Sequence, residues 1–280
     1  MIYSPTKINP NQNLMISPLP LSVAIIAKNE ERNIKRCLAS LGGIASEIIL
    51  VYNDCTDKTV EVAKSFGAKC IGNEWCGHIE QKNFALLHCT QEWVLCLDAD
   101  EAISPKLLES ITDFINNHNV GINGASFNRC TYFLGKWIRY GDWYPDKKLR
   151  VIRRGFSHWE GINPHDKLVL SEKGRVFHLK GDLEHFSFDS LKDLSKKAIH
   201  YSDIYLISKK NQKSIPKNLG IAIFHASWRF LRCYFLKLGF MDGYVGFIVA
   251  YSIGFETLLR HGRLWEKGHG EMKDFKIQSS

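Results

Sequence analysis

Short apolar runs alternate with amphipathic segments along the first part of the chain. Leu21-Ser22-Val23-Ala24-Ile25-Ile26-Ala27 is compact, apolar and rich in β-branched residues, the pattern of a strand covered on both faces. It is followed by Asn29-Glu30-Glu31 and by Ile34, Leu38 and Leu41 at helical spacing, which predicts a helix. Glu47 to Tyr52 repeats the strand pattern, Asn53-Asp54-Cys55-Thr56-Asp57 closes it, and a helix is predicted from Asp57 to Phe66. Gly67 to Ile71 supplies a third short strand, His78 to His88 a third helix, and Trp93 to Asp98 a fourth strand.

This alternation predicts an α/β fold, a Rossmann-like, doubly wound and mostly parallel sheet with ligands at the carboxyl ends of its strands. After Asn119 the pattern loosens into aromatic and basic segments, with strands expected at 124–132, 148–153 and 175–179. Helical periodicity returns from Asp189 to Ser208, and Pro216 opens a last helical region reaching about His261. The expected organisation is an N-terminal arm at 1–20, an α/β domain at 21–188 that divides into halves at about 120, and a helical, basic-aromatic extension at 189–280.

The most apolar piece of the extension, Gly243 to Phe255, is shorter than the roughly 20 residues a spanning helix needs. Before it, Arg229, Arg232 and Lys237 are interleaved with Trp228, Phe235 and Phe240. That mixture suits either an anionic membrane interface or a helix packed on the core with a solvated basic edge.

At 280 residues with 45% hydrophobic positions, the chain has ample material for a core. Its formal charge of +8 points to an anionic partner. Nucleic acid is disfavoured, because neither zinc-finger spacing nor a helix-turn-helix or RNA-binding aromatic motif occurs. The eight cysteines are scattered and form no CxxC pair, so free thiols in a reducing cytoplasm are expected. The polar, proline-bearing start lacks the basic-then-apolar pattern of a secretory signal.

Candidate chemistry begins where the fourth strand runs out into Asp98-Ala99-Asp100-Glu101. Two carboxylates at the carboxyl edge of a sheet suit Mg²⁺ or Mn²⁺ bridging phosphates. The bland reading is a pair of helix caps, since Ser104-Pro105 starts a helix close by.

Four segments in order, Val23 to Glu31, Asn53 to Thr59, Gln81 to Ala85 and Leu97 to Glu101, resemble glycosyltransferase family 2. Downstream, Phe133 to Arg139, Trp143 to Arg150 and Leu179 to Phe188 resemble the bacterial lipopolysaccharide-core β-1,4-glucosyltransferase branch. The resemblance runs from Leu21 to about Glu266. It implies a GT-A fold, an inverting mechanism, a divalent cation (Mn²⁺ or Mg²⁺) and a UDP-sugar donor, UDP-glucose in this branch.

Carried onto matching positions, the resemblance places Ala27, Asn29 and Glu30 beside the nucleoside and Lys82 near the base and diphosphate. Asp98 would hold the ribose or a metal-bound water, and Asp100 the metal. Family members commonly carry Asp after the second strand to read uracil, whereas this chain has Tyr52-Asn53-Asp54. Asn53 or Asp54 would take over that edge, with Tyr52 stacked on the base.

Inversion by a single displacement needs one general base. Asp166 of Gly161-Ile162-Asn163-Pro164-His165-Asp166 is the expected base, on a proline-restrained loop, with His165 orienting it or touching the acceptor. Asp146 is the reserve. His185 is a candidate third metal ligand beside Asp98 and Asp100, its alternative being structural. Arg150, Arg153 and Arg154 form a basic cluster for acceptor phosphates or a solvated edge.

The expected activity is hexose transfer to an inner-core heptose of lipopolysaccharide by a peripheral protein on the cytoplasmic face of the inner membrane. The alternatives are transfer to polyprenyl phosphate or another glycan, and a non-catalytic membrane-surface protein on a retired fold. The sequence leaves the oligomeric state open.

Overall fold

The computed structural model describes residues 18–117, 121–162, 165–171, 174–208 and 219–269. The chain begins with β1 (Leu19–Ala27), α1 (Glu31–Ala39), β2 (Ala45–Tyr52), α2 (Thr59–Ser65), β3 (Lys69–Gly72), α3 (His78–Leu87) and β4 (Trp93–Asp98). Then follow β5 (Glu101–Ile103), α4 (Pro105–Asn117), β6 (Gly124–Phe133), β7 (Lys136–Ile138), β8 (Asp146–Arg153), β9 (Ser157–Ile162), β10 (His165–Leu170) and β11 (Val176–His185). The C-terminal part holds α5 (Leu191–Ser208), α6 (Leu219–Leu231), a π turn at Arg232–Leu236, a 3₁₀ turn at Gly239–Asp242 and α7 (Gly243–His269).

The strand order is β3-β2-β1-β4-β8-β6-β11-β5, with β7 paired to β6. The first four strands are parallel and β8 joins β4 antiparallel. This is the expected α/β arrangement. Because side chains alternate along a strand, register assigns the faces. Ala24, Ile49, Val51, Val94, Cys96 and Ile152 enter one core with Ala85 and Cys89 of α3 and with Trp159 and Leu168 of the β9–β10 hairpin. Trp93 points the other way and meets Phe114 of α4, ring centroids 5.1 Å apart.

By chain contacts the molecule divides into two compact units, one of Met1–Ser126 with Leu149–Gly181, the other of Phe127–Lys148 with Asp182–Ser280. The expected partition cut the chain linearly at 188, whereas these units interleave. The reason is a shared core in the second unit: Phe133 and Ile138 are buried with Leu194, Cys233, Val245, Val249 and Ile253. There α7 crosses α6 so closely that a Cβ at Gly254 would lie 3.1 Å from the Ala226 carbonyl oxygen. Buried Asp242 accepts N–H bonds from Arg139 and Tyr140 at 3.0 and 2.9 Å, tying the end of β7 to the start of α7.

The segment around Asp166 is not a loop: His165 and Asp166 open β10, opposite Ile162 and Gly161 of β9. The strand expected at 175–179 continues to His185. Gly243 to Phe255 is only the first half of the 27-residue helix α7. The arm at 1–17, the Asn163-Pro164 turn, the His165 side chain and Pro216 lie outside the described residues. Among the described residues no single helix is long and apolar enough to cross a membrane.

Candidate active site at the strand ends

Register leads directly to a charged cluster in the first unit. Asp98 follows Cys96 on the same face of β4, so its carboxylate emerges on the side of α3 and the hairpin. Val94 faces Ile152 across the β4–β8 ladder, which puts Arg150, two residues before Ile152, on that side too. Lys82 Nζ lies 2.8 Å from Asp98 Oδ1 and 2.8 Å from Asp166 Oδ2, and Arg150 Nη2 lies 2.9 Å from Asp98 Oδ2 and 2.9 Å from Glu101 Oε1. Thus Lys82, Asp98 and Asp166 are brought together as a group, joined by Arg150 and Glu101.

The turn between β4 and β5 is held from both sides. Glu101 Oε2 accepts the Asp98 N–H at 2.9 Å, and its side chain is fully buried. The cap of α4 is Ser104, whose Oγ accepts the Leu107 N–H at 3.3 Å, so capping does not account for the aspartates. Burial opposes ionisation of Asp98, but Lys82 and then Arg150 outweigh it and hold the carboxyl well below the usual carboxylate range. Burial likewise opposes the charge on Lys82, and Asp98 more than offsets it, so the ammonium is held above its ordinary value. Arg150 is held protonated against burial by Glu101 and Asp98. His78, at the start of α3, is lowered by burial and by Lys82.

Trp159 floors the cluster. Its ring centroid is 4.4 Å from Lys82 Nζ and 5.3 Å from the Arg150 guanidinium carbon, within cation–π range. Asn83 fixes this strand against α3, donating to the Trp159 carbonyl at 2.9 Å and accepting the Trp159 N–H at 2.8 Å.

At the neighbouring strand ends, Ala27 is buried opposite Tyr52 in the β1–β2 ladder. Asn29 and Asp54 adopt left-handed backbone conformations, φ 56° and 42°. The Asn29 side-chain carbonyl accepts the Thr56 N–H at 2.8 Å, and the Glu30 N–H donates to Thr59 Oγ at 2.7 Å. These bonds lash the turn after β1 to the turn after β2. Asn53 lies half-buried and Asp54 exposed in that second turn. Tyr52 lays its ring over Gly72, where a Cβ would sit 3.5 Å away.

The second unit carries its own polar groups. Asp146 is gripped by Arg129 at 2.8 Å and Lys148 at 3.0 Å. Although burial opposes it, Arg129 and then Lys148 lower its pKa, which weakens it as a base. Asp182 binds Arg139 at 3.0 Å and accepts the Tyr144 hydroxyl at 2.9 Å. His185 Nδ1 lies 3.4 Å from Thr131 Oγ.

Among the described residues no three His, Cys, Asp or Glu side chains form a group able to hold a metal ion. Of the expected trio, Asp98 and Asp100 lie in the first unit and His185 in the second, and both Asp98 oxygens face cations. Half-buried Asp100 stands two residues beyond Asp98 and offers the carboxylate oxygens that hard divalent ions take.

The basic cluster of Arg150, Arg153 and Arg154 is a correction. Arg150 is 4% exposed, Arg153 pairs with Glu92 and covers Trp93 on the opposite face, and Arg154 donates to the Gln91 carbonyl. Arg229, Arg232 and Lys237 converge on a single carboxylate, that of Asp142, while their side chains stay partly exposed. All eight cysteines are free, and burial raises Cys89 and Cys96 to about 12.

The family model described as glycosyl transferase family 2 matches residues 22–195. The chain belongs to that family. Over 262 residues it is 32% identical to an uncharacterized glycosyltransferase of Rickettsia typhi, covering 88% of this chain and 87% of the relative. Over 260 residues it is 28% identical to the lipopolysaccharide core biosynthesis glycosyltransferase LpsC of Rhizobium meliloti, covering 90% and 94%. Among solved structures, S. aureus TarS 1–349 aligns with a TM-score of 0.46 at 14% identity, covering 91% of this chain and 93% of that one. As a family 2 glycosyltransferase of the GT-A class, the protein takes an activated-sugar donor and a glycan acceptor. The Asp98 cluster lies within the matched residues.

Proposed function

We propose that this glycosyltransferase moves glucose from UDP-glucose, with inversion, onto an inner-core heptose of lipopolysaccharide, working peripherally on the cytoplasmic face of the inner membrane. The observation that carries the transferase chemistry is the Lys82–Asp98–Arg150 cluster at the carboxyl end of β4, immediately before Asp100. The acceptor class is supported by similarity to a relative named for lipopolysaccharide core biosynthesis.

Asp100 would hold the divalent cation, which would offset charge on the diphosphate. Lys82 and Arg150 supply fixed positive charge where the leaving UDP becomes more negative. Asp98 would hold the ribose or a water on the cation, and the turns carrying Ala27, Asn29, Glu30, Asn53 and Asp54 border the nucleoside. Asp166 takes the proton from the acceptor hydroxyl as the new glycosidic bond forms and the bond from the anomeric carbon to UDP breaks. It is preferred to Asp146, whose affinity for a proton is reduced by Arg129.

The test is a panel of nucleotide-sugar donors with Mn²⁺ and a truncated lipooligosaccharide acceptor, read by product mass and anomeric configuration. A single added hexose, β-linked, from UDP-glucose is the expected result. Transfer only to polyprenyl phosphate, or acceptor-independent behaviour with every donor, overturns the reading.

A further inference from the structure

We infer that α6, the turns after it and the first half of α7 form a wedge that inserts into the headgroup region of an anionic lipid leaflet without crossing it. The inference deepens the peripheral location proposed above and rests on that reading.

Large apolar side chains are exposed here at helical spacing, not singly. On α6, Ile221, Phe224, Trp228 and Leu231 all stand in solvent, with Phe224 67% exposed. On α7, Tyr244, Phe247, Tyr251 and Phe255 make an entirely aromatic stripe, with Tyr244 74% exposed. The opposite face of α7 is spent on the core through Val245, Val249 and Ile253; of the stripe, Phe247 also packs against Phe230 and Tyr234, and all four members keep a third or more of their surface exposed. Between the helices Phe235, Leu236, Leu238 and Met241 are exposed as well. A continuous surface of this kind marks an interaction site.

Two observations select lipid as the occupant. Three cations converge at the bend on the single carboxylate of Asp142: Arg229 at 3.1 Å, Arg232 at 2.7 Å and Lys237 at 2.9 Å. Three positive charges against one negative leave an excess beside the apolar surface, and each cation keeps about a third or more of its side chain exposed. That pairing of apolar stripe with excess cation complements acidic headgroups over acyl chains. Tyrosine and tryptophan, with an apolar body and a polar tip, are the aromatics that settle at such a boundary.

Insertion without crossing follows from shape. Leu219–Leu236 and Gly239–Lys267 reach the length and apolar composition of a span only as a pair, and they are bent by 71°. The bend is built in: a Cβ at Gly246 would collide with the Gly239 carbonyl oxygen. Charged groups at the vertex keep it at phosphate depth, where their stems can snorkel.

The test is flotation of the full chain with phosphatidylcholine vesicles and with vesicles enriched in phosphatidylglycerol. Binding is expected to be roughly tenfold stronger on the acidic vesicles and to weaken with salt. Leu236→Glu removes no ion pair and sits at a position 67% exposed, so it should lower binding roughly tenfold with the melting temperature unchanged. Leu87→Glu, at a position 81% exposed in the first unit, should leave binding unchanged. Equal effects of the two variants overturn the inference. So does a chain that ignores vesicles but sediments as a dimer that Leu236→Glu dissociates. No donor is present in this assay, so a chain that binds acidic vesicles yet transfers no glucose refutes the proposed function alone.

Discussion

Arg150→Met tests whether the cluster is held by charge pairing. The Arg150 side chain is 5% exposed, and its Nη2 lies 2.9 Å from both Asp98 Oδ2 and Glu101 Oε1. At that separation each pair attracts by about 6 kcal/mol at an effective dielectric of about 20. Burying the ions costs several kcal/mol each, so the intact set comes close to break-even. Removing one partner leaves the cost behind: Glu101, 0% exposed, keeps its buried charge and loses the Arg150 guanidinium. The expected loss is about 3–5 kcal/mol, read as a shift of the urea midpoint by tryptophan fluorescence.

Glu101→Gln in the same background decides the cause. Glutamine keeps an oxygen for the Asp98 N–H while removing the stranded charge. The double variant should therefore be more stable than the sum of the single losses predicts, by about 2 kcal/mol. Additivity within about 0.5 kcal/mol would refute the coupling and reduce Arg150 to a packing residue.

Asp100→Asn should cut sugar transfer by at least about a hundredfold with an unchanged melt, because it removes a charged oxygen where phosphate charge develops; near-normal turnover in saturating Mn²⁺ counts against that ligand. Asp166→Asn should abolish transfer while UDP affinity, measured by calorimetry, stays within a few-fold; equal loss of both makes Asp166 a positioning partner of Lys82, and loss in Asp146→Asn alone moves the base there. Asp98 is depressed, so its stabilisation is full above the unfolded carboxylate value of about 3.9 and is lost as pH falls through the folded value. Lys82 is raised, so its share is full below about 10.4 and is lost as pH rises through its folded value. Urea titrations of wild type and Asp98→Asn should show a constant gap between about pH 5 and about pH 9, closing below about pH 4.

The parallel half of the fold was legible because its strands are buried on both faces and read as unbroken apolar runs, and Asp98 follows from where the fourth run stops. The hairpin β9–β10 was not legible. Among its described residues only Trp159 and Leu168 are buried, and Gly161, Glu160 and His158 stand exposed between, so a half-covered short hairpin looks like a loop. Asp166 reached the site through resemblance, since 84 residues separate it from Lys82.

Charge was the quantity that local reading misjudged, and always in one direction. Arg150, Arg229, Arg232 and Lys237 each sit among aromatic or apolar neighbours in sequence and read as cations open either to an outside anion or to solvent. In the fold Arg150 is shared between Asp98 and Glu101, 52 and 49 residues away, and the other three share Asp142, which is 90 residues from Arg232. An ion pair formed across such a gap leaves no periodic trace, whereas strand parity does leave one. Once Ile152 is known to face the core beside Val94, Arg150 must face the same side, and a buried arginine requires carboxylates. Glu101 was the available signal: an acid directly after Asp98-Ala99-Asp100, in a three-residue strand whose other members are apolar, is buried by its own context and has to be answered by a cation. The excess of +8 over the whole chain thus says little about where an anionic partner binds.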